Sequence, residues 1–213
     1  MSEKFVNELK PLTPKGMETR EKLLAAAELV FGQKGYYEAS IVNITQQAGM
    51  AHGSFYNYFP SKKDIFDALI QQYSRDLRLA IKEEMNHGTT FEDAQRRGFK
   101  AFFDWVSNRP NLYSIVQQAV VVDQQIYRWY YQKLASGFLK SLSAGMRAGE
   151  FKEIDQETVA YCLMSIGQFL GMRWVYWEGQ DVPESVFETA MTLIFDGLNT
   201  KRGEMHARHC QLD

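Results

Sequence analysis

The sequence has few of the residues that mark disulfide-rich, secreted or membrane proteins. Only two of its 213 residues are cysteines, Cys162 and Cys210, which are too few and too far apart for a disulfide framework. No basic segment followed by an apolar one opens the chain, so no signal peptide is predicted. The most apolar uncharged stretch, 158–172, is too short to span a membrane. We expect a reduced, cytoplasmic protein with no membrane partner, in which Cys162 packs in the core as a small hydrophobic residue.

Proline and positive charge are also scarce. Five prolines, three of them within the first sixty residues, leave the remaining chain free to form helices. Lys and Arg number 24 against 26 Asp and Glu, and the net charge of −2 excludes a uniformly basic nucleic-acid-binding protein. The average conceals an asymmetry, because residues 1–63 carry a net +2 and the rest a net −4. An anionic partner is therefore expected at the N-terminal end.

What the sequence does have is apolar residues at helical spacing. They predict helices at 17–35, 41–48, 52–58, 61–86, 90–107, 111–121, 123–148, 156–177 and 183–199. Gly35 ends the first helix, and Ser61 followed by Asp64 forms a variant of the capping box. No segment alternates between apolar and polar residues as a strand would. The predicted fold class is all-α, with about nine helices.

Residues 40–59 have the spacing of a helix-turn-helix. Ile44 and Ala48 give the first helix an inward face, and Gly49 suits the turn because glycine tolerates positive φ. Phe55 and Phe59 anchor the second helix. Its open side then consists of residues that can approach bases and phosphates, namely Ala51, His52, Gly53, Ser54, Tyr56, Asn57 and Tyr58. Spacing alone leaves a purely structural hairpin equally open.

Residues 17–66 resemble the DNA-binding domain of the TetR (tetracycline repressor) family of bacterial transcriptional regulators. The matching residues are Phe31, Gly35, Tyr36, Ser40, Ile44, Ala48, Gly49, Gly53, Ser54, Tyr56, Tyr58, Phe59 and Lys62. The resemblance implies a DNA-binding domain at 17–63 and an effector-binding and dimerisation domain at 64–200, linked by the helix 61–86. A flexible arm at 1–16 and a polar tail at 201–213 complete the predicted organisation.

The resemblance also carries DNA contacts over to individual residues of this chain. They are Ser40, Asn43, Ser54, Tyr56, Asn57, Tyr58 and Lys62, with the tyrosines and the lysine on phosphates. Position alone adds Ala51, His52, Gly53 and Lys63, with Lys10 and Lys15 as candidates from the arm. The family usually has serine or threonine where this chain has Ala51, and losing that cap costs about 1 kcal/mol of helix stability. His52 is equally compatible with DNA contact and with solvent.

The segment 99–138 is rich in aromatic rings, which either fill a core or line a cavity for a small molecule. The candidate effector residues are Phe99, Phe102, Phe103, Val106, Tyr113, Tyr127, Tyr130, Tyr131, Met164 and Gln168. Gln168 and Arg173 are polar groups in an apolar context. Each either orients an effector or pairs with a neighbouring residue.

The last two predicted helices have broad apolar faces. The helix 156–177 is uncharged between positions 158 and 172 and is expected to be buried on most faces. Gly167 and Gly171, four residues apart, allow another helix to approach closely. With the apolar stripe of 183–199 these features favour a four-helix homodimer interface, where the resemblance also places dimerisation.

Catalytic chemistry finds no support in the sequence. The four histidines, His52, His87, His206 and His209, do not cluster with a nucleophile, and no phosphate-binding loop, HExxH or CxxC motif is present. His206, His209 and Cys210 lie in a polar tail without a fourth metal ligand. We expect no enzyme, no cofactor and no metal site.

Two functions of different classes remain. The first is a ligand-responsive regulator, for which family precedent favours repression. A homodimer would bind a palindromic double-stranded DNA operator, and a small apolar or aromatic effector, an acyl chain among the candidates, would release it. The alternative is a helical small-molecule-binding or interaction protein whose helix-turn-helix is only structural. Steep salt dependence of DNA binding distinguishes the two.

Overall fold

The computed structural model describes residues 13–198, and every regular element in that range is helical. The elements are α1 (Pro14–Glu38), α2 (Ile41–Gln47), a 3₁₀ helix (His52–Asn57), α3 (Lys62–Met85), α4 (Phe91–Asn108), α5 (Pro110–Val122), α6 (Gln124–Arg147), α7 (Gln156–Leu170) with a π-helical continuation (Gly171–Tyr176), and α8 (Glu184–Leu198). The all-α prediction is confirmed. No helix of this range is both long and apolar enough to cross a membrane.

Several helices differ in extent or type from their predictions. α1 begins at Pro14 because the Thr13 hydroxyl accepts the Gly16 N–H at 3.2 Å and proline fits the first turn. The predicted helix at 52–58 is a short 3₁₀ helix. The helix predicted at 156–177 becomes π-helical after Leu170, where the Trp177 N–H donates to the Met172 carbonyl five residues earlier. Lys10 of the predicted arm, and His206, His209 and Cys210 of the predicted tail, lie outside the described residues.

The N-terminal helices share one hydrophobic core with part of the C-terminal half. Leu23, Ile44 and Phe55 are fully buried in it. The same cluster of buried residues continues through Ile115 of α5 to Tyr130 of α6. The helix-turn-helix therefore shares this core with α5 and α6, and α1 is the helix that packs against α5.

The contact between α1 and α5 is close and partly polar. A Cβ on Gly32 would lie 2.5 Å from the Asn111 side chain, so only glycine fits there. At Gly35 the chain leaves the helical path with φ +75°, and the Gln118 Oε1 accepts the freed Tyr36 N–H at 2.7 Å. The Tyr37 hydroxyl donates to the Val121 carbonyl at 3.0 Å, one helical turn beyond Gln118 on α5.

A second core joins α4, α6, α7 and α8. Its largest fully buried residues are Phe151 and Phe195, whose rings stack at a centroid distance of 6.4 Å. Phe151 lies against Gly145 of α6, and the next residue, Lys152, donates its N–H to the Leu198 carbonyl at 2.9 Å. The loop between α6 and α7 thus ties both helices to α8.

The two glycines of the helix after Asp155 face α4 of the same chain, so the helix that approaches them closely is not one of a partner subunit. A Cβ on Gly167 would lie 3.3 Å from the Phe99 ring, and one on Gly171 would lie 3.4 Å from Phe102. The prediction that Cys162 packs in the core is wrong, because its side chain is exposed on the opposite face of α7. That face also exposes the Phe169 side chain (63% accessible), so α7 is apolar on a side that its own chain does not cover.

The Phe151 packing yields a stability prediction. Gly145→Ala would place a Cβ 2.4 Å from the Phe151 ring, and we expect this overpacking to lower the free energy of unfolding by about 1–3 kcal/mol. The measurement is urea denaturation followed by far-UV circular dichroism. Gly137→Ala on the same helix is the control, because no atom lies within 4 Å of its Cβ position. Indistinguishable unfolding curves for the two variants would contradict the described packing.

Candidate nucleic-acid interface and effector cavity

The predicted DNA-contacting side of the second hairpin helix forms one surface in the structure. We call it the reading surface and define it as Ala51, His52, Gly53, Ser54, Tyr56, Asn57 and Tyr58. Tyr56 is 50% accessible, whereas Phe55 and Phe59 are buried in the core beneath it. The two buried rings lie 5.8 Å apart and fix the orientation of the segment. Gly49 makes the preceding turn with φ +66°.

The 3₁₀ geometry of this segment agrees with the missing cap at Ala51. No side chain caps its first turn. The Ser54 N–H donates to the Ala51 carbonyl at 3.0 Å, a bond between residues three apart that satisfies one of the donors at the helix start. At the other end the Phe59 N–H donates to the Phe55 carbonyl four residues earlier, which is the spacing of an α-helix.

The polar groups of the reading surface are not used within the described chain. In residues 13–198 the side chains of His52, Tyr56 and Asn57 make no hydrogen bond to the protein. The His52 ring packs edge-on against Tyr56 at 5.6 Å. Exposed donors and acceptors on a rigidly anchored segment can exchange water for base edges and phosphates without breaking internal bonds.

Two other predicted contact residues hold α2 in place. The Ser40 hydroxyl accepts the Asn43 N–H at 3.1 Å, and the Asn43 Oδ1 accepts the Ser40 N–H at 3.2 Å. This reciprocal pair is a capping box that satisfies two backbone donors at the helix start. A DNA contact by either residue stays a prediction.

Lys62 is used as a structural clamp. Its ammonium donates to the carbonyls of Tyr36 at 2.7 Å and Ala39 at 2.8 Å, and more weakly to that of Tyr37. It also lies 4.5 Å from the centre of the Tyr36 ring. Burial lowers the pKa of this lysine. The carbonyls at the end of α1 thus receive donors from the first residue of α3, a pairing that no local sequence pattern indicates.

Lys63 connects the start of α3 to the start of α6. Its ammonium bridges Asp67 of its own helix and Asp123, the residue that caps α6. Asp123 is partly buried, which alone would raise its pKa, but the hydrogen bond from Lys63 holds that pKa below its usual value. Lys63 is therefore paired with acidic residues in this structure, and its predicted DNA contact stays a prediction.

An apolar cavity of about 50 Å³ lies between α3, α4, α6 and α7. Its lining residues are Ile81, Met85, Gln95, Gly98, Phe99, Phe102, Tyr131, Leu134, Phe138, Leu163, Met164, Gly167 and Gln168. A more open recess, which we call the mouth, adjoins it and is lined by Tyr127, Arg128, Tyr131, Gln132, Tyr161, Met164, Ser165, Gln168 and Phe169. Tyr131, Met164 and Gln168 belong to both walls.

The predicted effector residues divide between these walls and the core. Phe99, Phe102, Tyr131, Met164 and Gln168 line the cavity, and Tyr127 lines the mouth. The other four, Phe103, Val106, Tyr113 and Tyr130, lie outside both walls because each is buried against other helices. Phe103 meets Phe187 of α8, for example, and Tyr130 stacks on Tyr73 of α3.

The contribution of α3 to the cavity wall was not among the predictions. Ile81 and Met85 continue the apolar stripe of that helix, and this continuation was the available signal. Gly98 was also not predicted as a lining residue. A Cβ at this position would lie 3.0 Å from the Met85 side chain and would reduce the volume of the cavity.

Polar groups at the junction of cavity and mouth are neutral hydrogen-bonding groups. The Gln168 Nε2 donates to the Tyr113 hydroxyl at 2.7 Å, and that hydroxyl donates to the Gln168 carbonyl at 3.1 Å. Burial raises the pKa of Tyr113 and of Tyr131, so both hydroxyls keep their protons at neutral pH. Arg173 forms an ion pair with Glu178. Of the two roles predicted for this arginine, the structure shows pairing with a neighbouring residue.

The clamp on α1 can be tested by stability alone. Lys62→Met keeps the aliphatic stem and removes the ammonium, so carbonyls at the end of α1 lose their donor and the free energy of unfolding should fall by about 1–3 kcal/mol. Urea denaturation without DNA measures it. Lys34→Met is the control, because Lys34 is exposed and makes no ion pair with the described residues. Unchanged stability of the Lys62 variant would show that the clamp contributes nothing.

Comparison with known proteins agrees with this architecture. Residues 23–69 match the family model of bacterial regulatory proteins of the tetR family. The chain is 30% identical over 196 residues to the uncharacterized HTH-type transcriptional regulator YdgC of Bacillus subtilis, covering 90% of this chain and 98% of YdgC. It is 23% identical over 188 residues to the HTH-type transcriptional repressor KstR2 of Rhodococcus jostii, covering 84% and 90%.

Solved structures show the same fold. The transcriptional regulator FadR of Bacillus subtilis, in complex with stearoyl-CoA, superposes with a TM-score of 0.75 at 20% identity, covering 83% of this chain and 98% of FadR. The family model covers the helix-turn-helix, and the similarity to YdgC extends over nearly the whole chain. This protein belongs to the TetR family of DNA-binding bacterial transcriptional regulators.

Proposed function

We propose that this regulator is a repressor that binds a palindromic operator in the cytoplasm as a homodimer and releases it when a small apolar or aromatic compound enters the cavity. The observation that carries the proposal is the shared core. Its buried residues run from Phe55 and Phe59, beneath the reading surface, to Tyr130 of α6, a helix that contributes to the cavity wall. A ligand that changes the spacing of these helices would therefore also move the reading surface.

The homodimer is proposed on the exposed faces of α7 and α8. Leu193 of α8 is 71% accessible and Phe169 of α7 is 63% accessible. Tyr161 and Cys162 lie on the same exposed side of α7. Two such faces related by a two-fold axis would bury each other, and two reading surfaces would then enter successive major grooves about 34 Å apart.

The effector class is proposed from the cavity lining. Apart from Gln95 and Gln168 the walls are apolar or aromatic, which favours a ligand with little charge along its length. FadR of Bacillus subtilis, which shares the fold, was solved with stearoyl-CoA, a molecule with a long acyl chain. KstR2, a relative of similar length, is named a repressor. We propose an apolar or aromatic compound, with acyl chains among the candidates, for this chain.

α3 is the proposed connection between ligand and DNA. It begins with Lys62 beside the reading surface and ends with Met85 in the cavity wall, a length of about 36 Å at 1.5 Å per residue. A ligand that displaces the Met85 end would tilt the whole helix. Coupling of about 1–3 kcal/mol would change operator affinity by roughly 5–150-fold.

DNA binding is tested with Tyr56→Phe. The probe is a duplex selected by the wild-type protein from a random library, and fluorescence anisotropy measures its Kd. Loss of a hydroxyl that donates to a phosphate should weaken binding roughly 10–150-fold, because a hydrogen bond to a charged group is worth about 1.5–3 kcal/mol. The slope of log K against log salt should not change, since tyrosine releases no counterion.

Tyr176→Phe is the matched control, because it removes an exposed tyrosine hydroxyl outside the reading surface and the proposed dimer face and should leave operator affinity unchanged. Equal Kd values for wild type and the Tyr56 variant would contradict the assigned phosphate contact. Salt-independent or undetectable DNA binding by the wild type would favour the alternative in which the hairpin is only structural.

The dimer interface is tested with Leu193→Glu. Two carboxylates brought together at an apolar two-fold interface should give a monomer and lower operator affinity by about two orders of magnitude, because one half-site binds without the other. Sedimentation equilibrium and anisotropy measure the two effects. Leu79→Glu, on a leucine of α3 that is also exposed (58% accessible), should alter neither. A Leu193 variant that stays dimeric would place the interface elsewhere.

A further inference from the structure

The first turn of the 3₁₀ helix carries one long polar side chain. In a helix-turn-helix the N-terminal residues of the second helix contact base edges in the major groove. In this chain those residues are Ala51, His52, Gly53 and Ser54. Ala51 and Gly53 have no side-chain donor or acceptor, and Ser54 is short and half-buried. The exposed imidazole of His52 is therefore the group of this turn that is best placed to read a base.

The His52 ring is oriented by its own chain and keeps both nitrogens free. It packs edge-on against the Tyr56 ring at 5.6 Å, with 86° between the two planes. Neither nitrogen has a hydrogen-bond partner among residues 13–198. A Cβ on the neighbouring Gly53 would meet no atom of that range within 4 Å, so internal packing does not require a glycine there. The missing side chain leaves room for DNA to approach the ring.

The elements next to His52 bring few ionisable groups close to it. α2, which packs against the 3₁₀ helix, consists of uncharged residues only. The turn at 48–51 contains no ionisable residue, and within the 3₁₀ helix Tyr56 is the other one. No carboxylate or cation of these elements therefore competes with DNA for the ring.

The charged residues of α1 and of the start of α3 are engaged elsewhere. Arg20 of α1 lies 5.0 Å from the centre of an aromatic ring, and Asp64 of α3 accepts a hydrogen bond at the start of its own helix. Lys62 and Lys63 bind carbonyls and carboxylates of their own chain. Bound DNA would therefore be the strongest influence on the charge of His52.

The donor and acceptor pattern of the major groove determines which base a charged imidazole selects. A protonated imidazole donates from both nitrogens and accepts at neither. Guanine presents two adjacent acceptors, N7 and O6, whereas adenine has an amino donor beside its N7 and cytosine presents an amino donor alone. Thymine offers one acceptor next to a methyl group. A cation that only donates is therefore complementary to guanine.

We propose that His52 sets the base specificity at one position of each operator half-site, where its protonated imidazole donates to a guanine. The proposal rests on the DNA-binding function proposed above and adds to it a residue, a base and a dependence on pH. Histidine is the side chain that changes its charge between about pH 5 and pH 8. Guanine acceptors and phosphates favour the protonated form, so operator binding takes up protons. Operator affinity is then highest at low pH and falls as the pH rises.

The first experiment measures base preference position by position. The wild-type protein selects a duplex from a random library at about pH 6. Fluorescence anisotropy then gives the Kd of every symmetric base-pair change in the half-sites. At one position guanine should be preferred roughly 5–150-fold. His52→Gln should prefer adenine there, because a glutamine amide both donates to and accepts from the adenine edge, and His52→Ala should show no preference.

The second experiment measures the Kd of the selected duplex between about pH 6 and pH 8 at constant ionic strength. The wild-type Kd should rise with pH, and the Kd of both His52 variants should stay constant. His87→Gln is the matched control for both experiments, because His87 is an exposed histidine in the segment after α3, outside the reading surface. It should keep the guanine preference and the pH dependence of the wild type.

The outcomes separate this proposal from the function on which it rests. A guanine preference that survives in both His52 variants would overturn the proposal, even where both bind every sequence more weakly, since a uniform loss is the result of a purely structural role. Salt-dependent operator binding by the wild type without guanine preference or pH dependence would refute the role of His52 and leave DNA-binding regulation intact. If the wild type binds no duplex, the role of His52 and the proposed function are both refuted.

Discussion

The packing of α1 against α5 is the contact on which the rest of this structure depends. Gly32 brings the two helices close enough for Asn111 to lie against the α1 backbone, and Gln118 supplies the acceptor that the break at Gly35 requires. Because of this contact the helix-turn-helix does not have a core of its own. Its buried residues continue into α5 and α6, and this shared packing is what the proposed coupling between cavity and reading surface requires.

The two lysines at the start of α3 also hold the helices together through polar contacts. Lys62 donates to the end of α1, and Lys63 joins α3 to the residue that caps α6. Both are residues that a family resemblance assigns to, or places beside, the DNA backbone, yet here each binds its own chain. The side chains of His52, Tyr56 and Asn57 on the 3₁₀ helix, by contrast, have no hydrogen-bond partner within residues 13–198 and stay accessible for the proposed DNA contact.

Local chemistry made much of the fold predictable. Helical spacing located the helices, Ser61 with Asp64 marked the start of α3, and the inward positions of Phe55 and Phe59 followed from their four-residue separation. What failed depended on distant partners. The role of Lys62 requires Tyr36, which is 26 residues away in the sequence. The sequence of an uncharged helix is also the same whether a given face packs in the core or is left exposed. The exposure of Cys162 could therefore not be predicted from the sequence.

If the helix-turn-helix and the helices around the cavity share one core, they unfold together as one thermodynamic unit. The four tryptophans, at positions 105, 129, 174 and 177, all lie outside the reading surface, in α4, in α6 and in or beside the π-helical continuation of α7, so their fluorescence does not report on DNA contacts of that surface directly. Urea denaturation with operator duplex at about 100 times its Kd should raise the tryptophan-reported free energy of unfolding by about 2.7 kcal/mol. A tryptophan transition unmoved by DNA that the protein demonstrably binds would contradict the shared core.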